Sequence, residues 1–214
     1  MWIRNRVVYV YDVEIFPNCF HCCCKDTETG RLYKFEISER RNQLEDLVDF
    51  FHYTLEDYFK LFCGYNNHHY DDVIINYIID YTRTLASLPY WKICQSLFNL
   101  STTIVEDEDG SREKLKRWKY AHYFESMDLL TMQFSQKLRV GLKTMQLTMH
   151  YKNVQEYDGD FDAFLPKENI DEMIAYNVND VESTTELLNR LNGQIELRLF
   201  IEKNTELIVY QWTP

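Results

Sequence analysis

Four acidic residues in three short segments carry the clearest chemical pattern in this chain. Asp12 and Glu14 lie in Val-Tyr-Val-Tyr-Asp-Val-Glu. Asp71 closes Gly-Tyr-Asn-Asn-His-His-Tyr-Asp (64–71), and Asp180 closes Tyr-Asn-Val-Asn-Asp (176–180). Carboxylates drawn from distant parts of a chain repel one another, and a divalent cation is the usual means of neutralising such a cluster. Hard cations with open coordination serve phosphate chemistry. The pattern therefore points to a hard-metal site.

The elements that must position these groups can be read locally. Residues 7–15 are β-branched and aromatic and read as a strand. Side chains alternate along a strand, so Asp12 and Glu14 share one face and Val13 takes the other. Residues 169–191 contain neither Pro nor Gly and read as a helix. Tyr176 and Asp180 are then i, i+4 neighbours, with a phenol one turn from a carboxylate. Taken singly, Asp-x-Glu and Tyr-x-x-x-Asp are weak motifs whose ordinary reading is solvated charge. Three motifs in order, each on the right kind of element, support one another.

These residues resemble the 3′–5′ exonuclease domain of the DEDD superfamily, which has an RNase H-like fold. The first family motif, Asp-x-Glu, is matched by Asp12 and Glu14. The second, an Asn followed by (Phe/Tyr)-Asp, is matched from Asn66 to Asp71, and the Gly-Tyr-Asn opening is similar to proofreading domains of family B DNA polymerases. The third, Tyr-x3-Asp, is matched by Tyr176 and Asp180. This is the tyrosine subclass; the histidine subclass would carry His where this chain has Ala175. The stretch Asp-Val-Glu-Ile-Phe-Pro-Asn (12–18) looks most like phage-type polymerases.

The resemblance implies hydrolysis of 3′-terminal phosphodiesters of DNA, at single-stranded or frayed ends, in a proofreading role. It implies two Mg²⁺ or Mn²⁺ ions held by Asp12, Glu14, Asp71 and Asp180. Asp12 would bridge both ions, Asp71 would stand near the leaving oxygen, and Tyr176 would orient the attacking water. Asn66 would contact the strand end, with Asn67 as the alternative. Phe16, Tyr65 and Tyr70 are candidates to stack on terminal bases, against core packing as the plain reading. His68 and His69 are expected as spacers or strand contacts. Asp128 is expected to cap or to be solvated, with support of the site as the alternative. Two other functions stay open: RNA or oligonucleotide trimming, and a non-catalytic RNase H-like binding module.

Composition limits these readings. A net charge of −11 argues against a tight stand-alone duplex binder, because phosphate contacts want basic surface. The basic residues are clustered, with Arg112, Lys114, Lys116, Arg117 and Lys119 in one run and Lys137, Arg139 and Lys143 in another. Apolar residues make up 45% of 214, enough for a substantial core. No stretch has the apolar length of a membrane span, and the N-terminus lacks a signal-peptide pattern, so a cytoplasmic protein is expected. Of six cysteines, Cys19, Cys22, Cys23 and Cys24 cluster around His21. A second ligand pair for zinc is missing from the pattern, and the stretch reads as a strand with buried thiols.

The expected architecture is α/β, a mixed central sheet in βββαβαβα order flanked by helices. Strands are expected at 6–15, 19–25, 31–37, 59–63 and 122–127, and helices at 40–57 (with Leu55 on its apolar face), 70–84, from Gly141, and 169–191. Gly64 is expected to permit a tight turn before Asn66. Residues 88–120, including the charged stretch 106–111, are expected as an insertion. The exonuclease domain spans 1–192. Residues 193–214 form a helix and an apolar tail that would lead to a polymerase domain or subunit elsewhere.

Overall fold

The computed structural model describes residues 1–52, 59–107, 112–121, 123–134 and 140–205. Its centre is a mixed sheet. Strand β1 (Trp2–Ile3) turns back onto β2 (Arg6–Phe16), which pairs antiparallel with β3 (Cys19–Asp26), itself antiparallel to β4 (Leu32–Ile37). On its other side β2 runs parallel to β5 (Lys60–Gly64), and β5 runs parallel to β6 (Ser126–Asp128). The strand order is β4-β3-β2-β5-β6.

The alternation of β2 explains the layering. Tyr11, Val13 and Ile15 face one side, where α1 (Leu44–Phe51), α2 (Asp71–Asp80) and α4 (Tyr90–Val105) close over Phe20, Cys22, Cys24 and Phe62. Phe51 stacks on Phe62 with ring centroids 4.3 Å apart, a buried pair at the centre of this core. Val8, Val10 and Cys23 face the other side, under Met145 of α7 (Leu142–Thr148), Val181, Leu187 and Leu188 of α8 (Ile170–Arg190), and Ile195 of α9 (Asn192–Asn204). Asp12, Glu14 and His21 continue that second face, so the acids lie beneath α8.

Several boundaries differ from expectation for identifiable reasons. Residues 38–43 are not helical: Ser38 N–H bonds Arg41 O and Asn42 bridges back to Ile37, which delays α1. Leu55 lies outside the described residues. The helix expected over 70–84 is split into α2 and α3 (Thr82–Ala86) at Tyr81. There the Thr82 hydroxyl bonds Ile78 O and Ile79 O, a side-chain competition that bends helices. The last strand is short, at 126–128. In the segment expected as an insertion, α4 buries Ile93, Cys94, Leu97 and Leu100 in the main core, and α5 (Glu113–Lys119) adds Leu115. Part of the charged stretch, 108–111, and the tail 206–214 lie outside the described residues. After α6 (Leu129–Gln133), Arg198 of α9 reaches back to Met132 O at 2.5 Å.

All six cysteines are free and buried. No helix of the described residues is long and apolar enough to cross a membrane.

Candidate active site

The pairing of β2 with β5 ends at Val10↔Cys63, while β2 continues to Phe16. Past that point the chain leaving β5 swings away, and the Val13 N–H donates to Asp71 Oδ1 at 3.1 Å instead of to a strand carbonyl. This bond ties the first motif to the second. Asp71 opens α2, and its carboxylate lies at the positive end of that helix.

The turn that delivers Asp71 is made by Asn66, whose φ of 64° is left-handed, a conformation Asn tolerates better than most residues. Gly64 serves a different purpose from the expected one. A Cβ there would stand 2.7 Å from Asn67 Cβ, so glycine is required by close approach. Asn67 is fully buried and donates to Asp72 Oδ1 at 3.0 Å. Asp72 also accepts from Tyr11 and, through Oδ2, from the Ser126 hydroxyl at 2.6 Å. Asn67 is therefore part of the scaffold, and Asn66 is the asparagine with exposed surface. Asp128 caps α6 through Leu130 N–H at 2.9 Å, as a capping role predicts, and the same oxygen accepts the Asn66 N–H at 2.8 Å. His68 Nε2 lies 3.4 Å from Ser126 O.

The third motif comes down from α8. Asp180 is buried, and its Oδ1 accepts from Lys143 Nζ at 2.6 Å and from Gln146 Nε2 at 3.0 Å. Lys143 Nζ also stands 4.5 Å from the Tyr176 ring centroid. The four carboxylates act on one another. Burial first, then Asp71, Glu14 and Asp180, raise the Asp12 pKa well above the carboxylate range. Burial, Asp180 and Asp71 raise that of Glu14, opposed by Lys143. Asp71 is pushed up to about 8 by burial and then by Asp72. Tyr176 is held above its ordinary value, first by burial and then by Asp180 and Glu14. All three motifs thus meet in one electrostatic field.

The oxygen-only donor set and its mutual repulsion suit a hard divalent cation. Among the described residues, however, no group of three or more His, Cys, Asp or Glu side chains is arranged to hold a metal ion as the side chains stand. Lys143 supplies countercharge at Asp180. A cation held by Asp180 Oδ1 would compete with the Lys143 ammonium already on that oxygen.

The aromatic candidates occupy varied positions. Phe16 is 1% exposed, stacked on Phe161 at 5.0 Å and edge-on to Tyr157, so it is a packing ring here and offers no open face to a base. Its partner Phe161 is 38% exposed. Tyr65 donates to Val140 O at 2.7 Å, and the half-buried Tyr70 pairs with the Ser101 hydroxyl at 2.7 Å. The loop carrying Tyr157 and Phe161 is pinned by Asn18, which exchanges two hydrogen bonds with the Leu165 backbone at 2.9 and 2.8 Å. Tyr157 in turn packs on Tyr176 at 5.6 Å.

No family model matches the chain, nor does any curated protein or any solved structure.

Sequence reading missed four participants. Lys143 stands in sequence as part of a basic run, although its spacing to Gln146 (i, i+3) places both on one face of α7. Asn177, buried beside Asp12, shares an α8 face with Asp180 by the same spacing. His21 lies directly across the hairpin from Glu14. The other basic run is largely consumed by ion pairs: Arg112 with Glu106, Lys116 with Glu113, and Arg117 with Asp80. Lys137 and Arg139 lie outside the described residues.

Proposed function

We propose that this chain is a metal-dependent 3′–5′ exonuclease of the DEDD type, hydrolysing terminal phosphodiesters at single-stranded or frayed DNA ends. One observation carries the reading: three distant segments converge, with Asp71 bonded to the Val13 N–H between Asp12 and Glu14, and the helix that bears Tyr176 and Asp180 bonded to Asp12 through Asn177. The strand order β4-β3-β2-β5-β6, with three antiparallel strands followed by two parallel ones, supports an RNase H-like fold.

Asp12, Glu14, Asp71 and Asp180 are the residues that would hold Mg²⁺ or Mn²⁺. When bound, such ions neutralise the carboxylates, polarise the scissile phosphate and make water a better nucleophile. The protein's own groups supply orientation and charge. The Val13 N–H fixes Asp71. The raised pKa of Tyr176 keeps its phenol protonated at neutral pH, so it donates a hydrogen bond to the reacting water and does not take its proton. Lys143, once displaced from Asp180, would be the ammonium free to meet phosphate oxygens. Phe161 takes the stacking role that burial denies to Phe16. A polymerase domain or subunit is the partner that would deliver frayed ends.

The test uses 5′-labelled DNA and RNA oligomers of one sequence with Mg²⁺, Mn²⁺ or EDTA. A ladder shortening from the 3′ end of DNA, silenced by EDTA and absent in Asp12→Ala, is the expected result. Activity surviving in chelator overturns the metal-dependent reading. Faster loss of the RNA label assigns the site to RNA trimming. Inert oligomers alongside tight binding assign it to a binding module.

A further inference from the structure

His21 and Asn177 are both fully buried between β3 and α8; Glu14 and the buried Glu36 lie across the neighbouring strands from His21, and Val10, Cys23 and Val181 belong to the apolar cluster of the same layer. Polar side chains in such a place cost stability unless their hydrogen bonds are made. Here they form a directed chain. Asn177 Nδ2 donates to Asp12 Oδ2 at 2.6 Å, and Asn177 Oδ1 lies 2.7 Å from His21 Nδ1. The Asn177 amide thus turns its nitrogen to Asp12 and its oxygen to His21, the orientation that an Asp12 carboxylate holding a cation requires. That oxygen only accepts. His21 must therefore carry its hydrogen on Nδ1, with the lone pair on Nε2.

We infer that His21 is a positioning residue for Asp12, acting through Asn177: the imidazole fixes the amide, and the amide holds Asp12 Oδ2 and leaves Oδ1 free to face the site. The three side chains come from β3, α8 and β2, so the relay also registers the helix against the hairpin. Without a donor at position 21, the Asn177 amide is free to rotate, and a rotated amide would present its oxygen to a carboxylate. The burial that pushes the His21 pKa down to about 4 keeps the ring in its neutral form across the physiological range. The inference rests on the exonuclease reading for its metal-affinity and kinetic consequences.

Two measurements on the full chain test it. Long-range ¹H–¹⁵N correlation on ¹⁵N-histidine protein in saturating Mg²⁺ should show His21 as the Nδ1–H tautomer at neutral pH; an Nε2–H tautomer overturns the inference. His21→Asn and His21→Leu give side chains of nearly equal shape that differ in the amide donor. His21→Leu should lower Mn²⁺ affinity and single-turnover cleavage by about 10–100-fold, the range for partners that orient a ligand, while His21→Asn recovers most of the loss. Two folded variants that behave alike overturn the relay. A wild-type chain that cleaves nothing defeats the exonuclease reading, and the tautomer then decides the relay by itself.

Discussion

The Lys143 ammonium stands 2.6 Å from Asp180 Oδ1, so the third motif enters the acidic cluster already paired with a cation from a different helix. The pair is mostly buried and shares its oxygen with Gln146. Lys143 therefore balances charge that divalent ions would balance in the loaded protein. Without metal, Lys143→Met should destabilise the chain by about 1.5–3 kcal/mol, the worth of a hydrogen bond to a charged group. Saturating Mg²⁺ should recover part of that loss. Thermal melts of both proteins in EDTA and in Mg²⁺ check this; equal melting in EDTA removes the countercharge role.

The buried acids set a pH dependence of stability. The folded-state pKa of Asp71 is about 8, against an ordinary carboxyl value of 3.8. Between those values the folded chain keeps a proton that the unfolded chain has released, so stability from this group is full below the lower value and lost as pH rises through the upper one. In EDTA the melting temperature should fall from about pH 5 to about pH 8, and Asp71→Asn should flatten that slope. His21 acts in the opposite sense: its pKa is lowered from 6.5 to about 4, so its contribution is present above 6.5 and is lost as pH falls toward 4. Calorimetry across pH separates the two limbs. An Asp71→Asn profile parallel to wild type contradicts the assignment.

Tyr176 gives a kinetic prediction. Burial and Asp180 hold its phenol protonated, so on the exonuclease reading it would contribute orientation. Tyr176→Phe should slow single-turnover cleavage by roughly 10–1000-fold, corresponding to about 1.4–4 kcal/mol of transition-state stabilisation, without changing the shape of the pH profile. Disappearance of a basic limb in the variant would show proton transfer by the phenol.

Gly64 gives a structural one. Gly64→Ala puts a methyl group 2.7 Å from Asn67 Cβ, which cannot retreat without breaking its bond to Asp72. The variant should lose about 1–3 kcal/mol through overpacking and lose cleavage beyond its loss of stability, because the displaced loop carries Asn66 and Asp71. Urea titration paired with cleavage rates checks it; wild-type values of both would show that the loop adapts.

The sequence alone determined the strands that carry the first motif, the helix that carries the third, and the shared face of Asp12 and Glu14, because periodicity within one element needs no tertiary information. The buried cysteines of β3 were legible because their stretch reads as a strand and lacks a second pair of zinc ligands. Tertiary structure decided what depends on contact between elements. It placed Lys143 against Asp180 across 37 residues, and His21 and Asn177 behind Asp12 across 156 and 165. It turned the role of Gly64 from backbone freedom into close approach, and it buried Phe16 behind Phe161. A side chain's type limits what it can bond to, but its partner is set by which surfaces the packed layers bring face to face.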